Sequence, residues 1–318
     1  MTTIIGENLH CSRLFKRNGA RCRVVGNAVR VQWQDDAGES RSFAVPAAYN
    51  GDKIRHVAAA LAAAMQTADQ EALAYLRHVV LRQEKAGAGV IDVNVDEFSS
   101  APEQNRTAME HLLGRILEWT ALPLAIDSSS AEILTAGARR VQKAGRAFLL
   151  NSASQERPQV LELAAAHGGG AVVSAAGGML PNNAQERLDA LRPLLRQALA
   201  AGLPPARLYL DPLVLPVGVD GGQGRGFLEA CRMLREELGP EVHITGGISN
   251  VSFGLPERQL LNVCFLRLAE ARGLDAPIFD PLQLSLPKDT PAPFLAAAEK
   301  VLLGDDDFAM NFLTVVRQ

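Results

Sequence analysis

The chain has 318 residues, of which 47% are hydrophobic and 21% charged, and its formal net charge is only −3. This composition is that of an ordinary globular protein, and its scattered Lys and Arg residues exclude wholesale nucleic-acid binding. An apolar run begins near the N-terminus without the charged region of a secretory signal, and no apolar stretch approaches the thickness of a bilayer. We therefore expect a cytoplasmic protein with no membrane contact.

Short apolar runs alternate with helical patterns along most of the chain, as expected for parallel strands buried on both faces. The predicted strands are residues 2–6, 90–94, 123–127, 146–151, 171–175, 207–211, 242–246 and 277–280. The predicted helices are residues 56–86, 104–119, 131–144, 158–167, 184–201, 224–238, 257–272 and 291–303. Eight strands separated by helices predict one (β/α)8 TIM-barrel domain over residues 1–318. A doubly wound open sheet is the alternative, but no GxGxxG motif follows the first strand.

Residues 11–50 interrupt this alternation. The segment 23–33 has the pattern of a hairpin built on Gly26-Asn27, and a further turn at 35–39 leads into a strand-like run at 41–45. We interpret this stretch as a small antiparallel insert after the first barrel strand, which would place it over the catalytic mouth. Covering a substrate, meeting a partner and mere decoration are equally compatible with the pattern.

Polar side chains follow the apolar runs where the predicted strands end. These side chains are Glu7, Asp92, Asn94, Asp127, Asn151 and Asp211. Because a β/α barrel collects the carboxyl ends of its strands at one mouth, such residues are expected to lie in one site. A carboxylate accepts two parallel hydrogen bonds from a flat heterocycle, which makes a polar ring a suitable ligand. Any single Asp could instead cap the following helix.

Asn250 follows the seventh predicted strand in the segment Gly246-Gly247-Ile248-Ser249-Asn250. An amide offers an acceptor and two donors without a change of charge, so it can bind a nitrogen in either protonation state. That property suits a reaction in which a weakly basic nitrogen gains or loses a proton. The alternative is that Asn250 satisfies backbone groups of its own turn.

The four cysteines, Cys11, Cys22, Cys231 and Cys264, form no CxxC pair. Cys231 and Cys264 lie in helical patterns and are expected to be small core residues. His10, Cys11 and Cys22 could form a metal site, but their spacing fits no common zinc framework, and no metal is expected.

Several motifs together resemble the pterin-binding, dihydropteroate-synthase-like methyltransferases, of the type that transfers methyl groups between tetrahydrofolate and a corrinoid. The matching stretches are IIGENLH at 4–10, GVIDVNVDE at 89–97, LAIDSSS at 124–130, LLNSAS at 149–154, LYLDPLVLPVG at 208–218, GISNVSFGLPER at 247–258 and LLNVCFLRLAEARGLDAPIFDP at 260–281. They occur in family order over nearly the whole chain outside the insert. No corrinoid-ligating DxHxxG motif occurs, so the resemblance implies that a separate corrinoid protein delivers the cobalt centre.

The resemblance implies roles for particular residues. Asp92 and Asp211 would bind the pterin ring, with Asn94 beside Asp92, and Asn250 would hydrogen-bond near N5 and act in catalysis. Ser130 stands where the family has a pterin-binding Asn in a DSTN-like segment, and Arg258 matches an Arg near the folate tail. Phe253 stands where some members have a Gln, and its ring offers no polar group at that position.

The function that the resemblance implies is methyl transfer between a protein-bound corrinoid and N5 of tetrahydrofolate. Transfer from the methylcorrinoid in one-carbon catabolism is the favoured direction, and a homodimer is expected. The alternative is a non-catalytic folate-binding subunit of a larger methyl-transfer complex. An unrelated barrel enzyme is a third interpretation, which a failure to bind tetrahydrofolate would favour.

Overall fold

The computed structural model describes residues 2–317. Its strands are β1 (Ile4–His10), β2 (Leu14–Lys16), β3 (Cys22–Val25), β4 (Ala28–Gln34), β5 (Ser40–Ala44), β6 (Lys53–Arg55), β7 (Ala88–Asn94), β8 (Leu124–Asp127), β9 (Phe148–Ala153), β10 (Gly170–Ser174), β11 (Leu208–Asp211), β12 (His243–Gly247) and β13 (Ala276–Phe279). Eight of them close into a barrel in the order β1-β13-β12-β11-β10-β9-β8-β7. The predicted barrel is therefore confirmed, and the open sheet is excluded. The first barrel strand ends four residues later than predicted, at His10.

Helices connect the barrel strands. They are α1 (His56–Thr67), α2 (Gln70–Lys85), α3 (Pro102–Trp119), α4 (Ala131–Lys143), α5 (Gln159–Ala166), α6 (Ala184–Ala200), α7 (Gly222–Leu238), α8 (Arg258–Glu270), α9 (Ala292–Leu303) and α10 (Met310–Val315). The short α10 was not predicted. Among residues 2–317, none of the helices combines the length and the apolar character that crossing a bilayer requires.

The chain forms two compact units, one made of the described residues within 1–5 and 149–318 and the other of Gly6–Phe148. In the Gly6–Phe148 unit, Ile91 and Val93 of β7 are fully buried, as is Ile126 of β8. In the other unit, Phe227 of α7 packs against Phe265 of α8 with ring centroids 5.5 Å apart. The expectation of a single domain over residues 1–318 stays a prediction.

The sequence of β7 places polar side chains near the carboxyl end of a barrel strand. Its segment Val90-Ile91-Asp92-Val93-Asn94 is apolar except at two alternate positions near its carboxyl end. Because side chains alternate across a strand, Asp92 and Asn94 point to one face and Ile91 and Val93 to the other. The same alternation carries polar groups at the ends of β8 and β11, where Asp127 and Asp211 are the last residues.

The helix predicted over residues 56–86 is wrong in its continuity, because α1 and α2 are separate helices. Ala68 adopts a left-handed conformation with φ of 52° directly after α1. Asp69 then caps α2, since its Oδ1 accepts from Glu71 N at 2.9 Å and from Ala72 N at 3.1 Å. The Asp at this position ends the helical run because its carboxylate satisfies the first free amides of a new helix.

The insert contains the predicted hairpin, with Val24 paired to Val29 in β3 and β4, and β5 adds a third antiparallel strand. A separate two-stranded sheet of β2 and β6 was not predicted. The three-stranded sheet packs on α2, where Phe43 lies 5.3 Å from Tyr75 and Trp33 lies 4.7 Å from His78, measured between ring centroids. The contacts of this sheet are with α2, and the expected position of the insert over the catalytic mouth stays a prediction.

Candidate functional site

A cluster of acidic and basic side chains lies at the carboxyl ends of β1, β7 and β8. His10 Nε2 lies 2.7 Å from Asp92 Oδ2, and Asn94 Nδ2 donates to Asp127 Oδ2 at 3.0 Å. The parallel register of β7 and β8 places Asn94 opposite Asp127 and Asp92 opposite Ala125. The sequence prediction that Asp92, Asn94 and Asp127 lie together is confirmed, and His10 is a fourth member.

The charges of this cluster shift its proton affinities. Burial raises the pKa of Asp127 to about 7, and the Asp92 charge adds to this rise, while His10 and the hydrogen bond from Asn94 oppose it. Burial alone would lower the pKa of His10, but the hydrogen bond to Asp92 and the charges of Asp92, Asp127 and Glu7 raise it above its usual value. Asp127 and His10 therefore both hold a proton more tightly than they would in free solution.

One oxygen of this cluster lacks a hydrogen-bond donor. Asp92 is completely buried, and its Oδ1 has no partner among the described residues. A buried carboxylate oxygen without a donor is costly, because the oxygen has lost water and gained nothing in exchange. Such an atom suits a ligand that brings its own N–H groups.

The loop that carries Ser130 is held by Asp96. Asp96 Oδ1 accepts from Ser128 Oγ at 2.5 Å, and Asp96 Oδ2 accepts from the backbone N of Ser129 at 2.7 Å. Ser130 is the residue that caps α4, with its Oγ accepting from Ile133 N at 3.5 Å. The pterin contact expected of Ser130 stays a prediction.

Glu7, another predicted site residue, lies on β1 with its carboxylate 2.9 Å from the guanidinium of Arg13. Arg13 also donates twice to the backbone oxygen of Glu7. The predicted residue Asn151 lies in β9 and is partly buried. Neither residue is a member of the cluster formed by His10, Asp92, Asn94 and Asp127.

In the other unit, Asp211 ends β11 beside Ser174, the last residue of β10. Asp211 Oδ1 accepts from Leu213 N at 2.9 Å, and Asp211 Oδ2 accepts from Ser174 Oγ at 3.3 Å. Burial raises the pKa of Asp211 to about 6, although these hydrogen bonds and the charge of Arg187 lower it in part. Ser174 was not predicted, because a serine at a strand end carries no signal distinct from a turn residue.

Asn250 lies in the short 3₁₀ turn Ile248–Ser252 directly after β12. A Cβ on Gly247 would lie 2.9 Å from Asn250 Nδ2, so the glycine leaves room for the amide. Arg258 holds the same turn, since its Nη2 donates to Ser249 O at 2.8 Å and its Nε to Ser252 Oγ at 3.0 Å. The guanidinium of Arg258 also lies 4.5 Å from the ring centroid of Phe253. This stacking occupies one face of an aromatic ring that is 47% exposed.

The alternative metal site of His10, Cys11 and Cys22 is wrong. Among residues 2–317, the one group of three or more potential ligand side chains with mutual distances within 4.8 Å is His10, Asp92 and Asp127. The direct hydrogen bond between His10 and Asp92 accounts for this spacing without a cation. Cys11 and Cys22 are buried thiols, as is Cys231, whereas Cys264 is only partly buried. The core position expected of Cys231 is thus confirmed.

A closed β/α barrel with carboxylate and amide side chains at the ends of its strands is an architecture that many enzymes share. The profile of the pterin-binding enzyme family matches residues 62–280. The chain belongs to this family of pterin-binding enzymes.

A curated relative supports a narrower class. The methylcorrinoid:tetrahydrofolate methyltransferase of Eubacterium limosum is 28% identical over 281 residues, which cover 84% of this chain and 95% of the relative. The family and this relative together confirm the expectation that the chain is an enzyme of the methyltransferase class.

Solved structures agree on the fold. A dihydropteroate synthase of Xanthomonas albilineans superimposes with a TM-score of 0.51 at 18% identity, over 79% of this chain and 90% of that one. A dihydropteroate synthase of Yersinia pestis gives a TM-score of 0.52 at 17% identity, over 75% and 88% of the two chains. At such low identity the likeness concerns the barrel alone.

Proposed function

We propose that this methyltransferase moves a methyl group from a corrinoid, carried by a separate protein, to N5 of tetrahydrofolate. The observation that carries the proposal is the buried Asp92 Oδ1, an acceptor without a donor beside Asn94 and Asp127. The amino and N3–H groups of a pterin form a flat edge of adjacent donors, which a carboxylate binds in parallel. The relative from Eubacterium limosum carries the same activity in its name.

Asp211 would bind the pterin through the carboxylate that Leu213 N and Ser174 Oγ already orient. Asp211 is the last residue of β11, and β/α barrels bind their ligands at the carboxyl ends of their strands. Glu7, Asn151, Ser130 and Arg258 belong to the proposed folate site on the strength of the resemblance.

In the proposed reaction the N5 lone pair forms a bond to the methyl carbon, and N5 gives its proton to solvent water to leave 5-methyltetrahydrofolate. A methylcorrinoid supplies the electrophilic methyl group and retains the electron pair of the broken cobalt–carbon bond. Asn250 would accept the hydrogen bond of N5–H before transfer and donate to N5 after it, which an amide can do without changing charge. Alignment of two large reactants is expected to supply much of the rate.

A spectrophotometric assay tests this function. Purified protein is mixed anaerobically with methylcobalamin and tetrahydrofolate, the cobalt absorbance is followed, and 5-methyltetrahydrofolate is measured by mass spectrometry. Matched amounts of demethylated cobalamin and 5-methyltetrahydrofolate support the proposal. Tetrahydrofolate binding without methyl transfer, from either methylcobalamin or a methylated corrinoid protein, would favour the non-catalytic subunit. Failure to bind folate would favour an unrelated substrate.

The further parts of the proposal are a homodimer, a cytoplasmic location and a role in one-carbon catabolism. A chain of 34.0 kDa should elute with twice that mass if it is a dimer, which light scattering after size exclusion measures. Comparison of the forward and reverse rates in the same assay addresses the favoured direction.

A further inference from the structure

We infer that His10 is a positioning residue for the pterin, whose hydrogen bond holds the Asp92 carboxylate with its second oxygen available to the ligand. This inference rests on the proposed function and names a residue that the site prediction did not include.

The geometry that supports it is the contact between two strand ends. His10 is the last residue of β1, and its Nε2 lies 2.7 Å from Asp92 Oδ2 on β7. Asp92 is 0% exposed, and its Oδ1 has no partner in the described part of the chain. One carboxylate oxygen is thus held by the protein and the other is left open, which fixes the plane in which a ligand must present its donors.

Charge supplies the second reason. The groups that act on His10 are Asp92 on β7, Asp127 on β8 and Glu7 on its own strand, and Asp96 acts in turn on Asp127. Together they raise the pKa of His10 in spite of its burial. Protonated His10 is the cation that can offset the negative charges of Asp92 and Asp127.

Removal of that cation has a predictable consequence. Two neighbouring buried carboxylates without a counter-charge cannot both stay ionised near neutral pH, so one takes up a proton. A proton gained by this pair lowers the negative charge that attracts the N–H groups of the ligand. Loss of His10 should therefore make pterin binding sensitive to pH in a way that loss of packing alone would not.

Two substitutions separate orientation from charge. His10→Gln keeps a hydrogen-bond donor without the charge, and His10→Leu removes both. Tetrahydrofolate binding is measured by anaerobic calorimetry at about pH 6 and about pH 8. For His10→Gln we expect affinity within about threefold of wild type at the higher pH and about tenfold weaker at the lower pH. For His10→Leu we expect about 10- to 100-fold weaker binding at the lower pH and only partial recovery at the higher one.

The chain offers a matched control in His243, whose Nδ1 lies 3.1 Å from Asp275 Oδ2. This His–Asp pair lies at the beginning of β12, the opposite end of a barrel strand from the one His10 occupies. His243→Gln should leave both the affinity for tetrahydrofolate and its pH dependence unchanged.

Three results would overturn the inference. If both His10 variants bind tetrahydrofolate with wild-type affinity at both pH values, His10 does not position the pterin, and the proposed function is unaffected. Binding of Zn²⁺ or Mg²⁺ that is lost in His10→Leu and is required for tetrahydrofolate affinity would make the cluster a cation site instead. A wild-type protein that does not bind tetrahydrofolate at all would overturn the proposed function, and this role with it.

Discussion

The amide of Asn250 is positioned by its own turn. Gly247 leaves the space that Nδ2 occupies, and Phe253 N donates to Asn250 O at 3.2 Å. Arg258 ties the turn together through Ser249 and Ser252. The side chain can therefore be removed while the backbone contacts that shape the turn remain.

For Asn250→Ala we predict a fall in methyl transfer of about 10²- to 10⁴-fold, the usual range for loss of assistance to a proton transfer. Tetrahydrofolate binding should weaken as well, with the circular dichroism spectrum and Tm unchanged. Single-turnover rates with methylcobalamin provide the measurement, and Asn182→Ala, at an exposed position, is the control. Unchanged kinetics would remove Asn250 from the mechanism.

A second residue-scale prediction concerns Asp211 and pH. Its pKa is raised to about 6 in the folded protein, so its contribution to stability is full below the ordinary value near 4 and is lost as pH rises through about 6. Asp211→Asn removes this loss. We expect the variant to gain about 1 to 2 kcal/mol over wild type at pH 8, allowing for partial exposure, and nothing at pH 4.

Urea unfolding at the two pH values measures this difference, and calorimetry should show weaker tetrahydrofolate binding by the same variant. Equal stability differences at pH 4 and pH 8 would contradict the raised pKa. Stabilisation together with unchanged folate affinity would contradict the proposed role of Asp211.

Site residues could be predicted from the sequence where polar side chains follow the two-residue period of a strand. Asp92 and Asn94 could be assigned to one face because they are two apart on a predicted strand. The partner of Asp92 could not be identified, since His10 is separated from it by 82 positions and the first strand was predicted to end before it. Only a closed barrel brings these two strand ends together.

At the level of the elements, Asp69 separates two helices that composition alone suggested were one. The Ala-rich run through α1 has no proline or glycine to end it, so helix propensity favours continuation. The carboxylate of Asp69 outweighs this propensity by binding two free amides of α2. The left-handed Ala68 is the conformational cost of the break.

For Asp69→Ala we predict a loss of about 1 kcal/mol in the free energy of unfolding, the usual value of an N-cap. Asp69→Asn keeps an acceptor oxygen and is the matched control, with a loss of a few tenths of a kcal/mol. Urea denaturation monitored by circular dichroism measures both variants. Equal stability of Asp69→Ala and wild type would show that propensity, and not the cap, governs this junction.

For the whole molecule, the insert shares a core with α2. Phe43 of β5 is completely buried and packs on Tyr75. Val31, its cross-strand partner on β4, is also buried. The turns of the insert predict its antiparallel strands, but nothing in the sequence predicts that it packs on α2. An amphipathic strand indicates that one face is buried without indicating which helix covers it.

We predict that Phe43→Ala lowers the stability of the protein by about 3 to 5 kcal/mol, the usual cost of removing a buried phenylalanine. Because the insert and α2 belong to one compact unit, its sheet should not melt separately from that helix. Calorimetry and the tryptophan fluorescence of a Trp119→Phe background, in which Trp33 is the remaining tryptophan, should give coincident transitions. Val24→Ala, at a position 49% exposed, is the control, and an early fluorescence transition would contradict a shared core.

Three buried cysteines are shielded from alkylation by their raised pKa values. Burial raises the pKa of Cys22 to about 11, and burial also raises the pKa values of Cys11 and Cys231. Thiolates are strong nucleophiles, whereas protonated thiols are not. A methyltransferase uses an electrophilic methyl donor, which could also alkylate its own thiolates. Because Cys11, Cys22 and Cys231 are buried and protonated near neutral pH, we expect them not to react. Repeated turnover should leave their sulfur atoms unmodified in a peptide mass map.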